Sequence, residues 1–189
     1  MKYRRAAVCL LAGLCLVLSA CSAPAGAEEK ASEIRVKYVG EETSSVSALV
    51  RADYGERQYE YELKYTGNEN TGIIEVMSPE SIAGFKINIE DGKVNTSFDD
   101  IVLYMGEISS LDITPACALP MILGSWKSGY ITNSKYENLD GENTVAVTVC
   151  VDDETETRTW FESETLEPIK SEIINEGRTV VFLEFEKGG

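Results

Sequence analysis

The sequence predicts a mainly β protein: a curved antiparallel meander forming an incomplete, half-open β-barrel, with one central helix covering its concave face. Three observations lead there. Beyond residue 33 most of the chain alternates apolar and polar residues with period two, short turn-forming clusters separate the runs, and one segment, Thr114 to Lys127, has helical spacing instead. A lone apolar helix among strands needs a sheet to bury its face, so the sheet is expected to wrap around it.

In chain order, Ile34, Val36 and Tyr38 alternate with Arg35, Lys37 and Val39, which predicts a short strand or a frayed lead-in. Val46, Ala48, Val50, Ala52 and Tyr54 share one face of the next run, and Tyr59, Tyr61, Leu63 and Tyr65 alternate with Glu60, Glu62 and Lys64 beyond Gly55. These two runs predict a hairpin with an apolar inner and a charged outer face. Its tyrosine row is either core or a ligand-binding platform. Ile73 to Ser78 is a strand, Pro79 to Gly84 a corner, and Phe85, Ile87 and Ile89 lead through the turn Glu90-Asp91-Gly92-Lys93 into Val94, Thr96 and Phe98. Ile101 to Tyr104 is one more short strand. After the helix come Tyr130 to Tyr136, a turn at Asp140-Gly141, then Val145 to Val151, Thr157 to Glu162, Ile169 to Ile174 and Arg178 to Phe185, the last two joined by Asn175-Glu176-Gly177. The count is ten to twelve strands in one domain, 34–189, with no composition break or repeat inside it.

The helix carries its own signals. Leu119, Ile122, Leu123 and Trp126 fall at i, i+3, i+4 and i+7 and so share one face. Thr114 suits the N-cap and Pro115 the first helical position; Lys127 complements the C-terminal dipole and Gly129 predicts a left-handed exit. Pro120 is expected to split or kink the segment.

The N-terminus predicts export. Lys2, Arg4 and Arg5 precede an apolar run from Ala6 to Val17, and Leu18-Ser19-Ala20-Cys21 ends it with small residues before a cysteine. This resembles the lipobox of bacterial lipoproteins. The resemblance implies a signal peptide over 1–20, diacylglyceryl attachment to Cys21 and fatty acylation, with a lipidated flexible tether over 21–33. The alternatives are an ordinary secretory signal with a coincidental cysteine and an uncleaved membrane anchor, for which the apolar run is short and wrongly flanked. Two or three acyl chains hold a protein stably at a membrane. Loss of residues 1–20 takes the net charge from −15 to −18, a surface that repels nucleic acid and anionic headgroups. The expected location is the extracytoplasmic side of the cell membrane.

Two cysteines follow Cys21, namely Cys117 and Cys150. Outside the cytoplasm they either pair or remain separate small buried side chains. The chain has no histidine, which removes the commonest general base and the usual His-containing triads and metal sets. Asp99-Asp100 and Asp152-Asp153-Glu154 are adjacent acids without a calcium-loop spacing, and with 32 acidic residues they are expected to be solvated turns. No phosphate-cradling glycine loop precedes a helix. The sequence therefore predicts no catalytic residues, no metal and no cofactor.

Val76 to Gly84 with its Ser-Pro-Glu corner, the Asp91-Gly92 hairpin, the Thr114-Pro115 helix start and the closing meander together resemble the LolA/LolB-like lipoprotein superfamily. The lipidated members of spore-forming and related monoderm bacteria, the GerS-type germination lipoproteins, look most similar. The resemblance implies a half-open barrel whose carriers hold acyl chains between sheet and helix. Carried over, it makes Leu119, Ile122, Leu123 and Trp126 the wall facing the sheet; Tyr61, from the tyrosine row, is a further candidate ligand-binding residue. Two departures limit transfer of the carrier function: the soluble carrier lacks a lipid anchor, and no counterpart of its functional arginine is found here. Two functions remain open. One is a non-enzymatic partner-binding or scaffold protein using an edge strand or its acidic face; the other is a carrier or sensor of a lipid or acyl chain.

Overall fold

The computed structural model describes residues 26–68, 71–91, 93–98, 101–107 and 113–186. Eleven strands form one antiparallel sheet: β1 (Ser44–Asp53), β2 (Gln58–Gly67), β3 (Thr71–Ser78), β4 (Lys86–Glu90), β5 (Lys93–Phe98), β6 (Ile101–Glu107), β7 (Tyr130–Leu139), β8 (Glu142–Cys150), β9 (Thr155–Glu162), β10 (Pro168–Asn175) and β11 (Arg178–Phe185). Among the described residues two helices accompany them, α1 (Ala27–Val39) and α2 (Pro115–Ser128). A 3-10 turn, Glu80–Ile82, makes the corner after β3, where Pro79 follows Ser78 through a cis peptide bond.

The strand order β6-β5-β4-β3-β2-β1-β11-β10-β9-β8-β7 is two meanders joined where the first and last strands pair. Neighbours in sequence pair through tight turns, and at Asp140-Gly141 and Glu176-Gly177 both central residues have positive φ, the geometry that matches strand twist. The sheet edges, β6 and β7, flank α2 in sequence, so α2 is the crossing from one edge to the other. The sheet stays open.

Cross-strand register defines the concave face. One row runs Tyr61, Val50, Leu183, Ser171, Thr159, Val147 across β2, β1, β11, β10, β9 and β8. A second runs Ala52, Val181, Ile173, Thr157, Val149. Nearly every member of both rows is buried, while the alternate residues Arg51, Glu60 and Glu184 face outward, Arg51 pairing with each carboxylate at 2.7 Å. Period-two alternation thus separates a dry inner face from a charged outer one.

Three expectations need correction. Residues 27–39 are neither tether nor strand but α1. Ala27, Ala31, Ile34 and Tyr38 recur at helical spacing and are all buried, whereas Val36 and Val39 are exposed. Among the described residues two helices, not one, therefore cover the concave side. Pro120 does not divide α2, which is continuous; Leu119, Ile122, Leu123 and Trp126 are packed on both sides of it, and this tertiary burial outweighs one missing backbone bond. Gly129 leaves α2 in extended backbone (φ −68°, ψ 159°), and its lack of a side chain serves close packing, since a Cβ there would collide with Val149. Cys21, residues 1–20, Gly92 and Asp99-Asp100 lie outside the described residues.

Candidate functional site

The space between α2 and the concave sheet is where a ligand would sit in a carrier. Thr114 caps the helix as expected, its side chain accepting from the Cys117 backbone N–H at 3.3 Å, and the helix then runs across β1, β2, β8 and β10. Leu119 and Ile122 are fully buried and Leu123 and Trp126 nearly so. Trp126 is the hub of an aromatic cluster, with ring centroids 4.8 Å from Tyr38, 5.2 Å from Phe161 and 5.7 Å from Phe185. Tyr61 is half-buried at the rim of the same core.

Beneath the helix lies a set of buried hydroxyls that periodicity did not point to. Trp126 Nε1 donates to Thr159 Oγ1 at 2.9 Å, and Thr159 and Ser171 share a hydrogen bond at 2.7 Å. Thr157 Oγ1 donates to Ser125 Oγ at 2.8 Å, which donates to the Ile122 carbonyl at 2.7 Å. Among the described residues no buried side-chain polar atom is left unpaired. Such directional bonds in a dry interior fix α2 in one place and register.

Helix α1 fastens the other end. Arg35 donates to the carbonyls of Trp126 and Gly129, capping α2 from the other helix of the pair, and Lys127 Nζ reaches the Glu41 carbonyl at 3.5 Å. Tyr38 OH donates to the Leu166 carbonyl at 3.0 Å, and Lys37 pairs with Glu167 at 2.6 Å, so α1 also holds the β9–β10 turn. Burial, then the nearby Glu167 and Glu41 charges, push the Tyr38 phenol far above its ordinary value.

This is a half-open sheet with two helices clamped over its hollow. Several solved structures share this outline at low sequence identity. A LolA superfamily protein from Nitrosomonas europaea matches with a TM-score of 0.42 at 12% identity, over 83% of this chain and 91% of that one. A putative outer membrane lipoprotein-sorting protein domain from Vibrio parahaemolyticus matches with a TM-score of 0.49 at 10% identity, over 86% and 91%. The structure of the CwlD amidase from Clostridioides difficile in complex with the GerS lipoprotein contains a chain matched with a TM-score of 0.43 at 17% identity, over 86% and 94%. No family model and no curated protein matches the sequence.

The predicted wall residues are brought together, but as packed core. A cleft of about 880 Å³ lies elsewhere, beyond the end of α1, between the start of β1 and the β9–β10 turn. Tyr38, Val46 and Phe185 give it an apolar floor; Glu41, Glu162, Glu167 and Glu186 are among its walls. The cysteines are free: Cys117 sits in the first turn of α2 and Cys150 beside Gly129 just past its last, ends separated by about 18 Å of helix rise. A disulfide needs Cα atoms within about 7 Å. Burial raises the Cys117 thiol above its ordinary value, against a smaller opposing effect of its bond to Thr114. Asp152 accepts the backbone N–H groups of Glu154 and Thr155, which hold its carboxyl below the usual range and make this acidic run a turn. Among the described residues no trio of His, Cys, Asp or Glu is grouped for a metal, and no helix is long and apolar enough to cross a membrane.

On the outer face Trp160 is buried beneath charged side chains. Arg158 lies 4.5 Å and Lys170 5.2 Å from its ring centroid, and Trp160 Nε1 donates to Glu137 at 2.6 Å. Burial opposes ionisation of Glu137, yet its bonds to Lys135 and Trp160 and the Arg158 charge outweigh it and hold the carboxyl below its ordinary value.

Proposed function

We propose that the protein is a membrane-anchored extracytoplasmic lipoprotein that binds a protein partner or serves as a scaffold in envelope or spore processes, without catalysing a reaction. The observation that carries this is the filled hollow. Trp126, Leu119 and Ile122 occupy the space a carrier would leave open, and the Ser125 and Trp126 bonds to Thr157 and Thr159 hold the helix shut. What the domain presents to other molecules is then its outer surface, acidic overall and edged by unpaired strands.

The anchor in this proposal is Cys21. Because α1 begins at Ala27, only residues 22–26 separate it from the folded domain, a reach of about 20 Å at full extension. The domain therefore sits close to the bilayer with α1 nearest. Replacing Cys21 by Ala should move the protein from the membrane to the soluble fraction; retention there would defeat the anchoring proposal. Affinity capture from the extracytoplasmic side, with the anchored chain as bait, tests the partner role, and failure to enrich any protein reproducibly would count against it.

The cleft of about 880 Å³ favours one second reading, a carrier or sensor of a hydrophobic ligand with a polar head. Native mass spectrometry and solvent extraction of the purified chain decide it: a bound lipid, or saturable uptake of a fluorescent fatty acid, would establish this reading over the first.

A further inference from the structure

We propose that the free edge of β6 pairs with the β6 edge of a second copy of this chain, in antiparallel register about a two-fold axis. β6 is the terminal strand of the sheet, so among the described residues one side of its backbone has no strand to bond. Its register with β5 continues the concave row Tyr65, Ile74, Ile87, Thr96 outward to Leu103, and places Ile101 opposite Phe98. Burial reaches as far as Thr96 and ends at β6. Tyr65 and Ile74 are covered, whereas Leu103 is 60% exposed, Ile101 64%, and the outward-facing Val102 and Tyr104 are 65% and 63% exposed.

Four consecutive apolar residues on an open strand edge form a template for another strand. The chemistry of the occupant follows from what β6 displays. A strand laid beside it sets alternate side chains against Ile101 and Leu103 on one face and Val102 and Tyr104 on the other, so it must be apolar on both faces. β2, in contrast, carries Glu60, Glu62 and Lys64 on its outer face. β6 itself meets the requirement, and an antiparallel pair of identical strands is self-complementary.

Charge points the same way. The chain carries 32 acidic against 17 basic residues, so contacts between copies are repulsive over most of the surface. Residues 101–106 contain no charged side chain, so the centre of this edge is a place where two copies meet without that penalty, the nearest carboxylates in sequence being Asp99, Asp100 and Glu107 at its ends. Confinement of anchored copies to one membrane raises their effective concentration further. The pairing does not depend on the partner role proposed above: dimers can form without a partner, and a partner can bind monomers.

Sedimentation equilibrium of the full chain in density-matched detergent should give the mass of two copies. Leu103→Lys should weaken the dimer by at least about tenfold, while Met77→Lys, on an interior strand at similar exposure, should leave it intact. Because Leu103 is exposed, both variants should keep the wild-type circular dichroism and, at dilutions where every chain is monomeric, the wild-type melting temperature. Mixing Leu103→Lys with Leu103→Glu copies should restore a dimer by opposite charge. A monomeric wild-type chain at the highest attainable concentration, a dimer indifferent to Leu103→Lys, or a complex formed only with a different protein would each overturn the proposal.

Discussion

Trp126→Ala separates a sealed hollow from a ligand site. The indole is 3% exposed, touches Tyr38, Phe161 and Phe185, and donates to Thr159. Removing a ring so enclosed leaves a cavity among side chains held by other bonds, at a cost of about 3 to 5 kcal/mol. Trp126→Phe keeps most of the volume and loses the hydrogen bond; Thr159 retains Ser171, so that loss is about 1 kcal/mol. Urea unfolding followed by circular dichroism should show the alanine midpoint falling with unchanged slope, and the melting temperature dropping by about 10 °C for a domain of this size. The phenylalanine variant should lose a quarter to a third as much. If Trp126→Ala costs less than about 1 kcal/mol and instead alters retention of a fatty acid, the hollow is a binding site and the filled-core argument is wrong.

Three other perturbations test neighbouring parts of the structure. Arg35→Met removes a charged donor from two carbonyls at the end of α2 and should cost about 2 kcal/mol, with faster amide exchange at Trp126 to Gly129 read by mass spectrometry. Glu137 is held below its ordinary value in the folded state, so its contribution is present above the unfolded carboxylate range and is lost as pH falls through the folded value; Glu137→Gln should flatten the acid limb of the stability profile while costing about 1 kcal/mol at neutral pH. Cys117 and Cys150 should both titrate with a thiol reagent in denaturant, and a reductant should leave the melting temperature unchanged; a shift on reduction would restore the disulfide.

Most strands were legible because each buries one face only. Tyr61, Leu63 and Tyr65 alternate with Glu60, Glu62 and Lys64, and Gly or Asp residues stand where β4–β5 and β7–β8 turn, so the alternation and its punctuation agree. The Thr114-Pro115 start and the four apolar positions of α2 were equally plain. Helix α1 was hidden by its composition. Two of its four buried residues are alanines, whose small size looks like linker, and Ile34, Val36 and Tyr38 alternate by accident although Val36 faces solvent. The hydroxyl set was hidden for a different reason: Thr157, Thr159 and Ser171 look outward-facing on polarity alone, and only the indole and Ser125 above them explain their burial. A threonine run on the same strand parity as Phe161 was the signal available.

The pairing of β1 with β11 has a consequence for how the molecule is made. Each half of the sheet forms from neighbouring hairpins, yet the seam between the halves joins residues far apart in sequence, such as Arg51 with Glu184. Closing so long a loop is slow relative to hairpin formation and must wait for β11 to be synthesised. Until then the chain is two unjoined meanders with α2 lacking the β10–β11 floor beneath it. In the exported lipoprotein proposed above, that order keeps the two halves of the sheet unjoined until the last strand is available.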